Sequence, residues 1–145
     1  MQRTTGSRVM VEEKEIARIG KGLMVLLGIK KGDSAEDADY MMNKIINLRI
    51  FPDEDDKMNL SLLDIAGEVL LVSQFTLCGD SRKGRRPGFS DAELPELALP
   101  LFAYSVRWLA QAGIKVATGE FGADMMVEID NDGPCTILLD SEKLF

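Results

Sequence analysis

Apolar and polar positions alternate near the start of the chain, so Arg8 to Val11 and Glu15 to Ile19 read as the two arms of a hairpin. Leu23 to Ile29 is a continuous apolar run between Gly22 and Lys30-Lys31-Gly32-Asp33, the pattern of a central strand buried on both faces. The period then lengthens. Ser34 stands where a helix N-cap is expected, with Glu36 and Asp37 in the first turn, where acids suit the helix dipole. Met41, Met42, Ile45, Ile46 and Leu48 follow at spacings that form one broad apolar face. Asp53 to Asp56 make an acidic turn; no glycine-containing twelve-residue calcium loop follows, and the turn reads as solvated. Glu68 to Leu77 predicts another strand. Ser90-x-x-Glu93 has the form of a capping box, and Pro95 suits a first turn, so a second helix is expected to reach Gly113 with a bend at Pro100. Met125 to Ile129 and Thr136 to Leu139 read as strands flanking a turn at Asp130 to Gly133. The order ββ(β)αβ…αββ predicts an α+β fold, with a mainly antiparallel, barrel-like sheet and two principal helices in a single domain over residues 1–145.

Composition narrows the chemistry more than the fold. A chain of 145 residues buries roughly 70% of its unfolded surface, enough for a core that needs neither disulfide nor metal. Cys78 and Cys135 form no metal or redox motif, no apolar run approaches a membrane span, and the first residues lack the apolar core of a secretory signal. A cytoplasmic location and no cofactor or metal are the expectations. The chain contains no histidine, which removes Ser-His-Asp and Cys-His catalysis and the usual neutral-pH base. Any reaction must use hydroxyls, carboxylates, backbone dipoles or groups on the substrate. A formal net charge of −7 argues against nonspecific coating of nucleic acid. Yet Arg82, Lys83, Arg85 and Arg86 cluster in one loop near the single acid Asp80. That loop is either a solvated surface or a focal contact for a polyanion.

Two segments stand out as candidate chemistry. Ser73-Gln74-Phe75-Thr76 falls at the end of an apolar strand, a rigid place from which hydroxyls, an amide and backbone N–H groups can face a cleft. Such residues also end strands for purely local reasons. Asn131-Asp132-Gly133-Pro134 is a turn in which glycine permits close approach of a ligand, and Gly-Pro is a bond that can be cis.

In their order and spacing these segments resemble the D-aminoacyl-tRNA deacylase family. The resemblance extends from Gln2-Arg3 to Ser141 through Gly22-Leu23-Met24-Val25-Leu26-Leu27-Gly28, Asn47-Leu48-Arg49-Ile50-Phe51, Lys83-Gly84-Arg85-Arg86-Pro87 and Gly119-Glu120-Phe121-Gly122-Ala123-Asp124-Met125. It implies hydrolysis of D-aminoacyl-tRNA, and of glycyl-tRNA mischarged on tRNA(Ala), by a homodimer. In that arrangement the Gly133-Pro134 turn of one subunit completes its partner's pocket and rejects L side chains. Arg3 would brace the turn, Phe121 and Ala123 would line the substrate pocket, and Ser73, Gln74, Phe75 and Thr76 would receive the terminal adenosine and the ester. Arg82, Lys83, Arg85 and Arg86 would meet the tRNA backbone. With no histidine to activate Thr76, the ribose 2′-OH is the expected helper for water, with N–H groups near Phe75 and Thr76 holding the oxyanion.

The chain departs from the family at its start, where Met1 directly precedes Gln2 in place of several apolar residues; either the first strand is short or the assigned start lies downstream of the true one. Thr4 and Cys135 stand where valine is frequent. Two other functions fit parts of the pattern. A non-catalytic RNA-binding module would use the basic loop and bind tRNA without turnover. A hydrolase of small D-amino acid esters or peptides would need no RNA.

Overall fold

The structure is a computed structural model and describes residues 1–144. β1 (Gln2–Val11) turns through Glu12 and Glu13 into β2 (Lys14–Ile19), and β3 (Gly22–Leu27) follows after Gly20 and Lys21. From Val9 back to Gln2 the pairing keeps one offset along β1: Arg8 faces Arg18 and Ser7 faces Ile19 on β2, then Thr4 faces Gly22 and Gln2 faces Met24 on β3. β2 and β3 are thus a single antiparallel partner of β1 with a break between them. Glu68 fills that break. Its carboxylate accepts the Gly20 N–H at 3.0 Å, and its own N–H donates to the Lys21 carbonyl. Gly22 is required beside it, because a Cβ there would overlap the Glu68 carbonyl.

The ladder extends on both sides. β6 (Glu68–Ser73) runs parallel to β3, and β7 (Val116–Thr118) runs parallel to β6. β8 (Met126–Thr136) lies antiparallel along the other edge of β1. The two faces of this rolled sheet carry separate cores. Leu23, Val25, Leu27, Val69 and Leu71 pack against α1 (Ala35–Asn47) and α2 (Pro95–Gln111). Met24, Leu70 and Val72 turn the other way, against Val9 and Ile19. Leu23, Leu70 and Leu71 are fully buried, and truncating one to alanine would cost about 2–5 kcal/mol. A small hairpin of β4 (Phe51–Pro52) and β5 (Met58–Leu60) holds the acidic turn, in which the Asp53 carboxylate accepts the N–H groups of Asp55 and Lys57. No described helix is long and apolar enough to cross a membrane.

The α+β class, the rolled and mostly antiparallel sheet and the two helices agree with the sequence reading. Several boundaries do not. Glu68 to Leu77 is not one strand: the ladder ends at Leu27 opposite Ser73, and the chain closes into a 3-10 turn at Phe75–Cys78. Ser90 caps no helix. Residues 89–93 run beside 29–31 instead, with Lys31 N–H bonded to the Asp91 carbonyl and Glu93 N–H to that of Ile29, so α2 starts only at Pro95. It ends at Gln111, two residues before Gly113, whose φ of 84° lets the chain leave the helix. The C-terminal region is one strand rather than two: β8 runs from Met126 through the expected turn to Thr136, both of its ends pair with β1, and Ile137 to Leu139, expected as strand, lie beyond it. Gln2 faces Thr136 and Thr4 faces Asn131, so β8 carries three surplus residues between these pairs. The supposed turn is an outward bulge in a continuous strand.

Candidate active site

The bulge is built from Arg3 outwards. Arg3 is 8% exposed, and its guanidinium spreads over three oxygens. Nε donates to the Asp132 carbonyl at 3.1 Å and lies 3.2 Å from the Asp132 carboxylate, while Nη1 donates to the Ile50 carbonyl at 2.6 Å. A planar fork presents donors from separate nitrogens and so reaches acceptors set apart from one another, which the compact ammonium of a lysine cannot. Beside it the Gly133–Pro134 peptide bond is cis, and Gly133 has a φ of 124°, a conformation that L side chains rarely adopt. A Cβ at Gly133 would also stand 2.9 Å from Arg3 Nη2. Asn131 closes the bulge, its side-chain oxygen accepting the Cys135 N–H at 3.3 Å. Gly133 and Pro134 are left exposed at the apex.

Ser73 and Gln74 are half-buried, and Phe75 and Thr76 are exposed. Gln74 N–H continues the sheet pattern by bonding to the Leu27 carbonyl at 2.8 Å. The 3-10 turn then begins. Its first N–H groups, those of Phe75 and Thr76, have no acceptor within the turn, because such groups must look outside it for partners. Gly28 holds the turn close: a Cβ there would lie 3.0 Å from Leu77 Cβ and 3.1 Å from the Gln74 carbonyl. The Phe75 ring is 56% exposed and rests edge-on against Phe89, 5.1 Å between centroids. Phe89 was not apparent as a neighbour from sequence, since thirteen residues, the basic loop among them, separate it from Phe75.

No hydrogen bond joins the Thr76 hydroxyl to a carboxylate among the described residues. The nearest acid in sequence, Asp80, is engaged by Arg82, whose Nε and Nη2 donate to its two oxygens at 2.8 Å each. Those bonds hold the Asp80 carboxyl well below the usual carboxylate range, so it is a poor proton acceptor. Burial, with Asp33 nearby, pushes the Cys78 thiol up and keeps it neutral near pH 7. Neither residue supplies an activated nucleophile or base.

The basic loop is pinned at its neck by paired backbone bonds between Asp80 and Gly88, at 2.7 and 2.8 Å. Residues 81–90 are all exposed. Arg82 is neutralised by Asp80, whereas Lys83, Arg85 and Arg86 have no ion-pair partner among the described residues. Phe121 is half-buried with its ring 5.8 Å from that of Phe102 on α2, so it packs toward the helix core. Ala123 closes the same turn, its N–H reaching the Glu120 carbonyl at 3.2 Å. This turn adjoins the end of β6, since a Cβ at Gly119 would lie 3.6 Å from Val72 Cγ1.

Arg3 and the Gly133–Pro134 bulge therefore form one unit, and Ser73 to Thr76 with Phe89 form another. Within one chain the two are set apart. The bulge lies beside Arg3, which faces Leu23, which faces Val69, four residues from Ser73. That is roughly 13 Å along the strand, in addition to about 14 Å across the strands from β8 to β6.

A family model described as D-Tyr-tRNA(Tyr) deacylase matches residues 1–140. The D-aminoacyl-tRNA deacylase of Syntrophomonas wolfei subsp. wolfei is 68% identical over 145 residues, covering 100% of this chain and 97% of that one. That of Clostridioides difficile is 60% identical with the same coverage. Among solved structures, one described as c-Myc DNA unwinding element binding protein superposes with a TM-score of 0.90 at 40% identity, covering 96% of this chain and 95% of that one. A probable eukaryotic D-amino acid tRNA deacylase superposes with a TM-score of 0.77 at 17% identity, over 90% and 91% of the two chains, and so shares the fold. The chain belongs to the D-Tyr-tRNA(Tyr) deacylase family.

Proposed function

We propose that this chain hydrolyses the ester that joins a D-amino acid to the terminal ribose of tRNA, releasing free tRNA and the D-amino acid. The observation that carries this reading is the family match over residues 1–140, which spans both the exposed Phe75–Cys78 turn and the Arg3-braced bulge. The separation of those two units within one chain supports a homodimer in which each bulge completes the partner's pocket. Carbonyls of Gly133 and Pro134 hold the aminoacyl group there. An L side chain meets the wall and a D side chain points outward, so selection works by exclusion. Glycine, with no side chain to exclude, passes the same filter, which extends the activity to glycyl-tRNA mischarged on tRNA(Ala). The enzyme acts in the cytoplasm.

Water attacks the ester carbonyl, and the charge that develops on its oxygen is held by the N–H groups of Phe75 and Thr76. Ser73 and Gln74 position the terminal adenosine. The proton of the attacking water passes to the substrate side, helped by the ribose 2′-OH, because Thr76 has no base and the chain no histidine. The bond between the carbonyl carbon and the ribose oxygen then breaks. Single-turnover deacylation tests this division of labour. Thr76→Ala should retain more than about a tenth of the rate, since one general-base contribution is typically worth 100-fold or more. A tRNA ending in 2′-deoxyadenosine should react at least about 100-fold more slowly. Loss of all turnover in Thr76→Ala with tRNA binding intact would make Thr76 the nucleophile.

A further inference from the structure

The Phe75–Cys78 turn has little of its own to hold it in shape. None of its four residues is buried. The bonds that close it onto its flanks run from the Leu77 N–H to the Gln74 carbonyl, long at 3.4 Å, and from the Gly79 N–H to the Thr76 carbonyl at 3.0 Å. A 3-10 turn has poorer bond geometry than an α-helix, so its shape depends on what packs against it. Gly28 touches its middle, at Leu77 and the Gln74 carbonyl. Phe89 touches both ends. Its ring meets that of Phe75 at an interplanar angle of 71°, and it also lies on Gly79, where an added Cβ would stand 2.9 Å from Phe89 Cε1. Gly79 has a φ of −72° and a ψ of 130°, which any residue can adopt. A side chain is excluded there by the space that the ring and the Thr76 carbonyl occupy.

Phe89 is itself fixed on both sides along the chain. Gly88 before it exchanges the paired bonds with Asp80 at the neck of the basic loop. After it, the Ala92 N–H donates to the Phe89 carbonyl at 3.2 Å. The Asp91 carbonyl then accepts the Lys31 N–H, and the Glu93 N–H donates to the Ile29 carbonyl, both at 2.9 Å. A pinned backbone thus carries a ring that rests on the two ends of a weakly bonded turn.

We propose that Phe89 is a positioning residue, whose ring clamps Phe75 and Gly79 in place and so fixes the direction of the Phe75 and Thr76 N–H groups. Phe89 touches no reacting atom in this role. It acts through Phe75, which opens the turn, and through Gly79, which is bonded to the Thr76 carbonyl. Donors already in place need no rearrangement as charge develops on an ester oxygen, and a misplacement of about 1 Å can cost about 100-fold in rate. The consequence for hydrolysis rests on the deacylation proposed above; the clamp itself does not.

Phe89→Ala and Phe89→Tyr, made in the full chain, test this by hydrogen exchange and by single-turnover deacylation of D-tyrosyl-tRNA. Phe89→Ala should exchange the Leu77 and Gly79 amides at least about 10-fold faster, while the amides of Val69 to Val72 keep their protection. Its maximal rate should fall at least about 10-fold with the half-saturating protein concentration unchanged, the mark of an interaction lost in the transition state alone. Phe89→Tyr, which keeps the ring, should restore both. Unchanged turn amides in Phe89→Ala would overturn the clamp, and so would equal loosening of Val69 to Val72, which would make Phe89 a general stabiliser. Weaker half-saturation at an unchanged maximal rate would also overturn it, because Phe89 would then contact the tRNA directly. Absence of turnover in the unaltered chain would sink the deacylation reading instead, and exchange would still decide the clamp.

Discussion

Arg3 is the residue on which the geometry of the bulge depends. Its hydrogen bonds to the Asp132 and Ile50 carbonyls, with its ion pair to the Asp132 carboxylate, tie β8 across β1 to the segment that follows α1, and the bond to Ile50 is buried. Leaving a buried acceptor without its hydrogen bond costs about 1–3 kcal/mol. Arg3→Lys keeps the charge but cannot reach Asp132 and Ile50 together, so it should lower stability by about that amount in denaturant unfolding. If the bulge is the stereochemical filter, the same variant should let L-aminoacyl-tRNA be hydrolysed faster while tRNA binding holds. Unchanged stability and unchanged selectivity would remove Arg3 from the account. Gly133 is equally constrained, by its φ of 124° and by the guanidinium beside it.

At the scale of elements, the β1–β2 turn shows where local chemistry and fold disagree. Glu12 and Glu13 are the two loop residues between Val11 and Lys14, and both have positive φ, 47° and 63°. Two-residue hairpin loops of this kind favour Asn-Gly. Replacing Glu12-Glu13 with Asn-Gly should raise stability by about 1 kcal/mol, read as a higher denaturant midpoint with an unchanged slope. No gain would mean that the present turn is already relaxed. The hairpin was nevertheless legible in the sequence, because the alternation on either side was strong. So was α1, where Ser34 N–H and hydroxyl both bond to the Asp37 carboxylate at the predicted start. What local pattern could not reveal depended on partners distant in sequence. The strand after Glu68 stops at Ser73 because its neighbour stops at Leu27. Ser90 fails to cap because residues 29–31 claim its segment. The bulge looked like a hairpin turn because its shared partner, β1, lies more than a hundred residues away. Of the candidate site, the motifs and the absence of histidine were readable; Phe89 behind Phe75 and Ile50 behind Arg3 were not.

The whole molecule is acidic, yet its one basic loop projects beside the exposed turn, with Arg82 neutralised by Asp80. Basic side chains that meet phosphates fix a nucleic acid's position without reading its sequence. Removing one such cation from a single-stranded phosphate lowers the salt slope by about 0.7, so Lys83→Ala with Arg85→Ala and Arg86→Ala should flatten log(kcat/KM) against log salt by about 2. An unchanged slope would return the loop to a solvated surface. The proposed activity is the removal of amino acids from tRNA according to their handedness. It is tested most directly by incubating the purified protein with D-tyrosyl-tRNA and L-tyrosyl-tRNA side by side and following the intact ester. The D-ester should be hydrolysed at least about 100-fold faster, since exclusion of the L form leaves its ester outside the proposed oxyanion donors. Equal rates for the two, or binding of both with turnover of neither, would contradict it.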